Sequence, residues 1–232
     1  MKTSVNYTNL IVAFILLLCT VSCSKDSGGP LIDVSGLSIV NASPNTEKLD
    51  VYVDNTKVTS SNSNFTFGAK IDYLSTYSGT RRMTITKKDS SAPLRSESFI
   101  LAPQFGYTLF IIDRLADVKF LLLPDNLTKP SKGKASIRFA NLSPDSDPLT
   151  LSIENSPAYL ITNIAFKNYS NPIMVDIGDK VTFQIRDHAT GDLILNLSDL
   201  KIEEEKIYTI YVNGLKGAID ETKLGVSIYT HK

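Results

Sequence analysis

"IRFANLSPDSDPLTLSI" (residues 137–153) restates "LSIVNASPNTEKLDVYV" (residues 37–53) of the same chain. Aligning Ser43-Pro44 with Ser143-Pro144 holds the register without a gap: Ile39 faces Phe139, Asn41 faces Asn141, Leu49 faces Leu149, Val51 faces Leu151, Val53 faces Ile153 and Asn55 faces Asn155. The likeness returns late in each half, where "GYTLFIID" from Gly106 matches "IYTIYVNG" from Ile207 and sets Tyr107 opposite Tyr208. A repeat of roughly 100 residues has the length of a domain, not of a solenoid unit, so the chain is an internal duplication.

Within each copy the apolar residues alternate. Leu149, Leu151 and Ile153 in "LTLSIEN", Val181, Phe183 and Ile185 in "KVTFQIRD", and Val226 and Ile228 in "GVSIYT" each follow a period of two, which is the signature of strands with one face buried. Short strands separated by turn signals predict an all-β chain. The expected architecture is two tandem immunoglobulin-like β-sandwich domains after a lipoprotein signal peptide. The expected boundaries are a signal peptide at 1–22, a tether at 23–32, a first sandwich at 33–127, a linker at 128–133 and a second sandwich at 134–232. The linker lies within "PDNLTKPSKGK", where Pro124, Pro130 and Gly133 stand among polar residues and read as a connection rather than a buried element. "LAPQFGY" from Leu101 and "LKIEEEKIY" from Leu200 each run from a leucine through a polar bend to a tyrosine that opens a strand. Both resemble a tyrosine corner, in which the ring packs under the bend and its hydroxyl bonds the backbone. Tyr107 and Tyr208 are the expected corner residues.

The strand followed by "NASPNTEKLDVYVD" or "NLSPDSDPLTLSIEN", together with the later "YTLFI" or "YTIYV" strand, resembles the bacterial family called domain of unknown function 4397. The resemblance implies secreted or surface-anchored sandwich modules, commonly lipoproteins of Bacteroidetes-like bacteria, and brings no activity with it. In that family the turn often begins with histidine; Asn41 and Asn141 stand here, which counts against metal binding or acid/base chemistry at that position. The turn also has a local explanation. Pro44 and Pro144 fix φ near −65°, and Asn41, Ser43, Asn141 and Ser143 are residues that bond their own backbone and tighten a turn. The other use of such loops, clustered at one end of a sandwich, is to present a binding surface.

The start of the chain carries its own instruction. "MKTSVNYTN" has a single Lys2 before the apolar run "LIVAFILLLCTV", which is too short for a membrane-spanning helix of about 20 residues and reads as a signal segment. Ser22 precedes Cys23, so the site resembles a lipobox, although Thr20 stands where leucine is usual. Cys23 is the expected lipidated residue, which predicts an outer-membrane lipoprotein of the bacterial envelope, periplasmic or surface-exposed, with the membrane as a partner through its anchor. Cys19 and Cys23 are the only cysteines, so the chain beyond them has no disulfide and no thiol nucleophile. Lys plus Arg number 24 and Asp plus Glu number 24. That balance gives nucleic acid no electrostatic footing.

Catalytic and cofactor motifs are not visible. The two histidines are His188, in the polar stretch "RDHATGD", and His231, the penultimate residue, expected to fray. Two scattered histidines do not make a zinc site, and Asp187 beside His188 is proximity in sequence, not a triad. Asp145 and Asp147 have the alternate spacing of calcium-loop oxygens; the alternative is a solvated turn. "KIEEEK" from Lys201 reads as a solvated charge run. Tyr52, Tyr73, Tyr77, Tyr169 and Tyr229 lie in polar or loop-like settings and are candidates for a binding platform. The expectation is therefore a non-enzymatic binding or adhesion module with a protein or glycan ligand and no catalytic residue, cofactor or metal. A structural or assembly subunit of an envelope complex is the second reading and a hydrolase the third.

Overall fold

In the computed structural model, which describes residues 33–45, 47–60 and 64–231, each half of the repeat folds into two four-stranded sheets. The first half supplies β1 (Val34–Asn41), β2 (Leu49–Val53), β3 (Thr56–Lys57), β4 (Lys70–Tyr77), β5 (Gly79–Lys87), β6 (Pro93–Leu101), β7 (Gly106–Ile112) and β8 (Lys119–Asp125). The second supplies β9 (Lys134–Asn141), β10 (Leu149–Ile153), β11 (Tyr159–Ile164), β12 (Ile173–Asp176), β13 (Gly178–Asp187), β14 (Leu193–Ile202), β15 (Ile207–Asn213) and β16 (Gly225–Thr230). The predicted all-β class is the observed one, and none of the sheets closes into a barrel. The signal segment, Cys19, Cys23 and the tether lie outside the described residues.

The duplication extends to topology. Sheet order β4-β1-β7-β8 in the first half is matched by β12-β9-β15-β16 in the second, and β3-β2-β5-β6 by β11-β10-β13-β14. In each copy the first strand runs antiparallel to one neighbour and parallel to the other, β1 to β7 and β9 to β15. Even single backbone bonds recur: Gly36 N donates to Phe105 O and Ser136 N to Lys206 O, both at 2.9 Å.

Each sandwich has its own core. Leu37, Ile39, Val51, Ile85, Leu109 and Ile111 are fully buried in the first, and Ile137, Phe139, Leu151, Phe183, Ile210 and Val212 in the second. These are the residues that the period of two points inward. β7 and β15, however, are buried at every position, so their outward residues are also covered. The outward faces of sheets β4-β1-β7-β8 and β12-β9-β15-β16 pack against each other through a third cluster of Val40, Ala42, Phe110, Ile112 and Leu123 with Ala140, Leu142, Tyr211 and Tyr229. Phe110 and Tyr211 meet edge-on across it, ring centroids 5.4 Å apart, and the Tyr229 hydroxyl donates to Ser38 Oγ at 2.9 Å. The two repeats therefore form one body rather than modules strung on a free linker.

Four expectations change as a result. Pro124, read as linker, is inside β8, where its carbonyl accepts from Arg138 Nη1 at 2.9 Å. Tyr229 is only 4% exposed and packs in the middle cluster. Tyr73 packs against that cluster as well, so neither belongs to a surface platform. His231 does not fray: it is 3% exposed, and its backbone N–H donates to Ile207 O at 2.8 Å.

Candidate functional site

The residues singled out from the sequence fall into distinct places. Tyr107 Oη accepts from Ala102 N–H at 3.0 Å and Tyr208 Oη from Glu203 N–H at 3.1 Å, each five residues back along the chain. Both bends use a left-handed residue, Gln104 at φ 63° and Glu205 at φ 63°. The Ser-Pro turns are tied down: Asn41 Oδ1 accepts from Ser43 N–H at 3.2 Å and Asn141 Oδ1 from Ser143 N–H at 3.1 Å. All four of those polar residues are fully buried, as is Pro44, while Pro144 is partly covered. Asp145 takes Arg114 Nη2 at 3.1 Å and Lys216 N–H at 3.1 Å, and Asp147 pairs with Lys216 Nζ. The two carboxylates thus each hold a cationic side chain rather than converging with each other on one point. Among the described residues no group of three or more His, Cys, Asp or Glu is placed to hold a metal ion.

His188 lies beside a threonine hydroxyl. Its Nδ1 lies 3.2 Å from Thr150 Oγ1, while neighbouring Asp187 spends Oδ1 on the backbone N–H groups of Ala189 and Thr190 at 2.8 and 3.0 Å. Those turn amides, Thr190's first, hold the Asp187 carboxyl below the usual range.

Six residues converge where the sandwiches meet, although they are distant in sequence. Asp125, at the end of β8, accepts from Arg138 Nη2 at 2.7 Å, Thr108 Oγ1 at 2.7 Å and the Tyr73 hydroxyl at 2.5 Å. Arg138, on β9, also donates to Thr209 Oγ1 at 3.0 Å. The Asp125 and Arg138 side chains are 1% and 6% exposed. A buried pair of this kind survives desolvation only when its remaining hydrogen-bonding positions are filled, and here most of them are. His231 closes the network, with Nδ1 2.8 Å from the Tyr73 hydroxyl and Nε2 2.8 Å from Thr209 Oγ1. Burial drives the imidazole pKa down to about 4, with Asp125 opposing and Arg138 reinforcing the fall. Burial, followed by the Asp125 charge, pushes the Tyr73 hydroxyl upward.

Above this neutralised floor opens a cleft of about 580 Å³ between the repeats. Its walls carry Phe105, 57% exposed, Leu127, 41%, and Tyr169, 40%. Gln104, Asn126 and Asn171 supply amide side chains on its rim, and the Arg138 guanidinium carbon sits 6.0 Å from the Tyr169 ring centre. Apolar walls with a few polar groups are what a pocket needs to hold a ligand by area and orient it by hydrogen bonds. Both Asp125 oxygens accept hydrogen bonds from inside the protein, Oδ1 from Arg138 and Oδ2 from Tyr73 and Thr108. Of the cleft residues the sequence had marked only Tyr169. Arg138 had left a trace: a charge inside the otherwise apolar "SIRFANL", where the first copy has Ser38 in "LSIVNAS". The four other flagged tyrosines lie elsewhere: Tyr73 and Tyr229 in the middle cluster, Tyr77 exposed at the end of β4 and Tyr52 on β2.

No curated protein matches the chain. Among solved structures, the C-terminal domain of AlgF from P. aeruginosa is 19% identical, with 43% of this chain and 100% of that one covered at a TM-score of 0.33. A family CBM26 module from Eubacterium rectale Amy13K, in complex with maltoheptaose, is 10% identical over 85% of this chain and 97% of that one, at a TM-score of 0.28. A streptococcal virulence factor described as binding α-glucan is 17% identical over 85% and 97%, at 0.26. These likenesses are too slight to carry an argument. The family model for the domain of unknown function DUF4397 matches residues 35–152, from β1 through the whole first sandwich and into β10 of the second. The chain belongs to the DUF4397 family.

Proposed function

We propose that the protein is a cell-envelope binding module, tethered through a lipid on Cys23, that holds a glycan or protein ligand in the cleft between its two sandwiches. The observation that carries this reading is the cleft itself: exposed Phe105, Leu127 and Tyr169 stand around a floor whose buried charges cancel. Exposed aromatic rings are unfavourable in water, and grouped on opposing elements they mark a surface kept for a partner. Because β1, β7, β9 and β15 are locked face to face, the part of the cleft lined by Gly106 of β7 and Arg138 of β9 is in place before any ligand arrives, and less ordering entropy is lost on binding.

The test immobilises the full chain and a Phe105→Ser/Tyr169→Ser variant on separate surfaces. Each is probed with a glycan array, host matrix proteins and envelope extracts. A partner retained by the natural chain and lost by the variant supports the cleft. Retention unchanged by the double substitution removes it, and turnover of a glycan or peptide by the natural chain replaces binding with the hydrolase reading.

A further inference from the structure

The outer face of sheet β3-β2-β5-β6 carries a second concavity, a shallow groove of about 550 Å³ that shares no lining residue with the cleft. Its axis is a row of side chains set by strand register: Tyr52 on β2 lies opposite Thr84 on β5, which lies opposite Ser96 on β6. Thr84 Oγ1 and Ser96 Oγ are 2.9 Å apart. Arg82, two residues before Thr84 on the same face, is the diagonal neighbour of Tyr52, at the distance long side chains bridge. Two charged residues line the groove, Asp54 and Arg82. Asp54 is spent, with Oδ2 on Arg81 Nη1 at 2.8 Å and Oδ1 on the Arg82 backbone N–H at 2.9 Å. The Arg82 guanidinium and the Tyr52 hydroxyl make no hydrogen bond to any other described residue.

The duplication supplies an internal control. The matching row on the second sandwich is Ser152, Gln184 and Asn196. The position that matches Arg82 is Thr182, and the arginine that this face does carry, Arg186 at the position of Thr86, is consumed internally, donating Nη2 to Gln184 Oε1 at 2.6 Å and Nη1 to Gly191 O at 3.0 Å. The same sheet is therefore built without an aromatic residue at this position and without a free guanidinium, so the fold itself requires neither Tyr52 nor Arg82.

We propose that this groove is a second binding site, specific to the first repeat, for a carboxylated carbohydrate. Tyr52 offers a flat ring to one sugar face, Thr84, Ser90 and Ser96 offer hydroxyls, and Arg82 offers the planar fork that pairs a carboxylate through two parallel hydrogen bonds. The residual charge of the groove, once Arg81 has neutralised Asp54, is positive, which selects an acidic over a neutral sugar.

Titration calorimetry of the full chain with oligogalacturonate, sialyllactose and, as the neutral probe, maltoheptaose tests it. Binding of at least one acidic probe, weakened by raising sodium chloride, is expected, with maltoheptaose bound at least tenfold more weakly. Arg82→Gln and Tyr52→Ser each weaken it tenfold or more, while Arg186→Gln and Phe105→Ser/Tyr169→Ser leave it unchanged and all variants melt as the natural chain does. No heat with either acidic probe, equal binding of maltoheptaose, or insensitivity to Arg82→Gln overturns the proposal. Loss through the Phe105/Tyr169 pair alone places the sugar in the cleft instead, which also overturns this site while leaving the cleft reading intact.

Discussion

Replacing Arg138 by methionine removes the guanidinium that neutralises Asp125 and leaves a carboxylate 1% exposed between two sandwiches. The Tyr73 and Thr108 hydroxyls remain as donors, but neither carries charge, and the Thr209 and Pro124 acceptors lose their partner as well. Breaking a buried pair from one side costs about 3–5 kcal/mol, at least about a fifth of the ~5–15 kcal/mol that holds a typical domain together. Guanidinium denaturation reads the loss as a lower midpoint. Because the pair joins β8 to β9, the transition should remain single, both sandwiches weakening together. Adding Asp125→Leu removes the stranded charge, so the double variant should recover at least ~2 kcal/mol relative to the sum of the single losses. A loss below about 1 kcal/mol for Arg138→Met, or strict additivity in the double variant, refutes the argument that this pair is desolvated and joins the repeats.

Tyr208→Phe leaves the Glu203 N–H without its acceptor and should lower stability by roughly 1–2 kcal/mol; a change of a few tenths means the ring acts through packing alone. His231 gives a pH dependence whose sign follows from its depressed pKa of about 4 against 6.5 for a free imidazole. The unfolded chain takes up a proton between those values that the folded chain does not, so stability is full above pH 6.5 and falls toward pH 4, by about 2 kcal/mol between pH 7 and 5. Urea midpoints at the two pH values should converge in His231→Gln; parallel losses in both proteins would dismiss the histidine as the cause. Labelled palmitate should enter the natural chain and not Cys23→Ser, and equal labelling of the two removes the lipid assignment.

Local pattern is enough to determine the strands, because a half-buried strand exposes its period of two wherever only one face meets a core. Val51 and Val53, or Leu149 and Leu151, needed no partner sheet to be read as inward. The duplication was equally visible, since offset alone aligns Ser43-Pro44 with Ser143-Pro144. The packing of one sandwich on the other was not, although the apolar run "TLFII" at 108–112 departs from alternation as a strand covered on both faces does. Periodicity says that a face is apolar; it does not say what covers it. The candidate sites lay further from reach for the same reason. Tyr52 and Tyr169 stood out as tyrosines in polar surroundings, but nothing local distinguishes them from Tyr229, which the meeting of two sheets buries. Asp125, Arg138 and His231 are spread over more than a hundred residues, and each alone reads as a linker acid, a stray strand cation and a frayed end. Only the tertiary structure brings them within hydrogen-bonding distance, and burial then sets their chemistry, because the energy of a charge depends on the medium around it far more than on its neighbours in sequence.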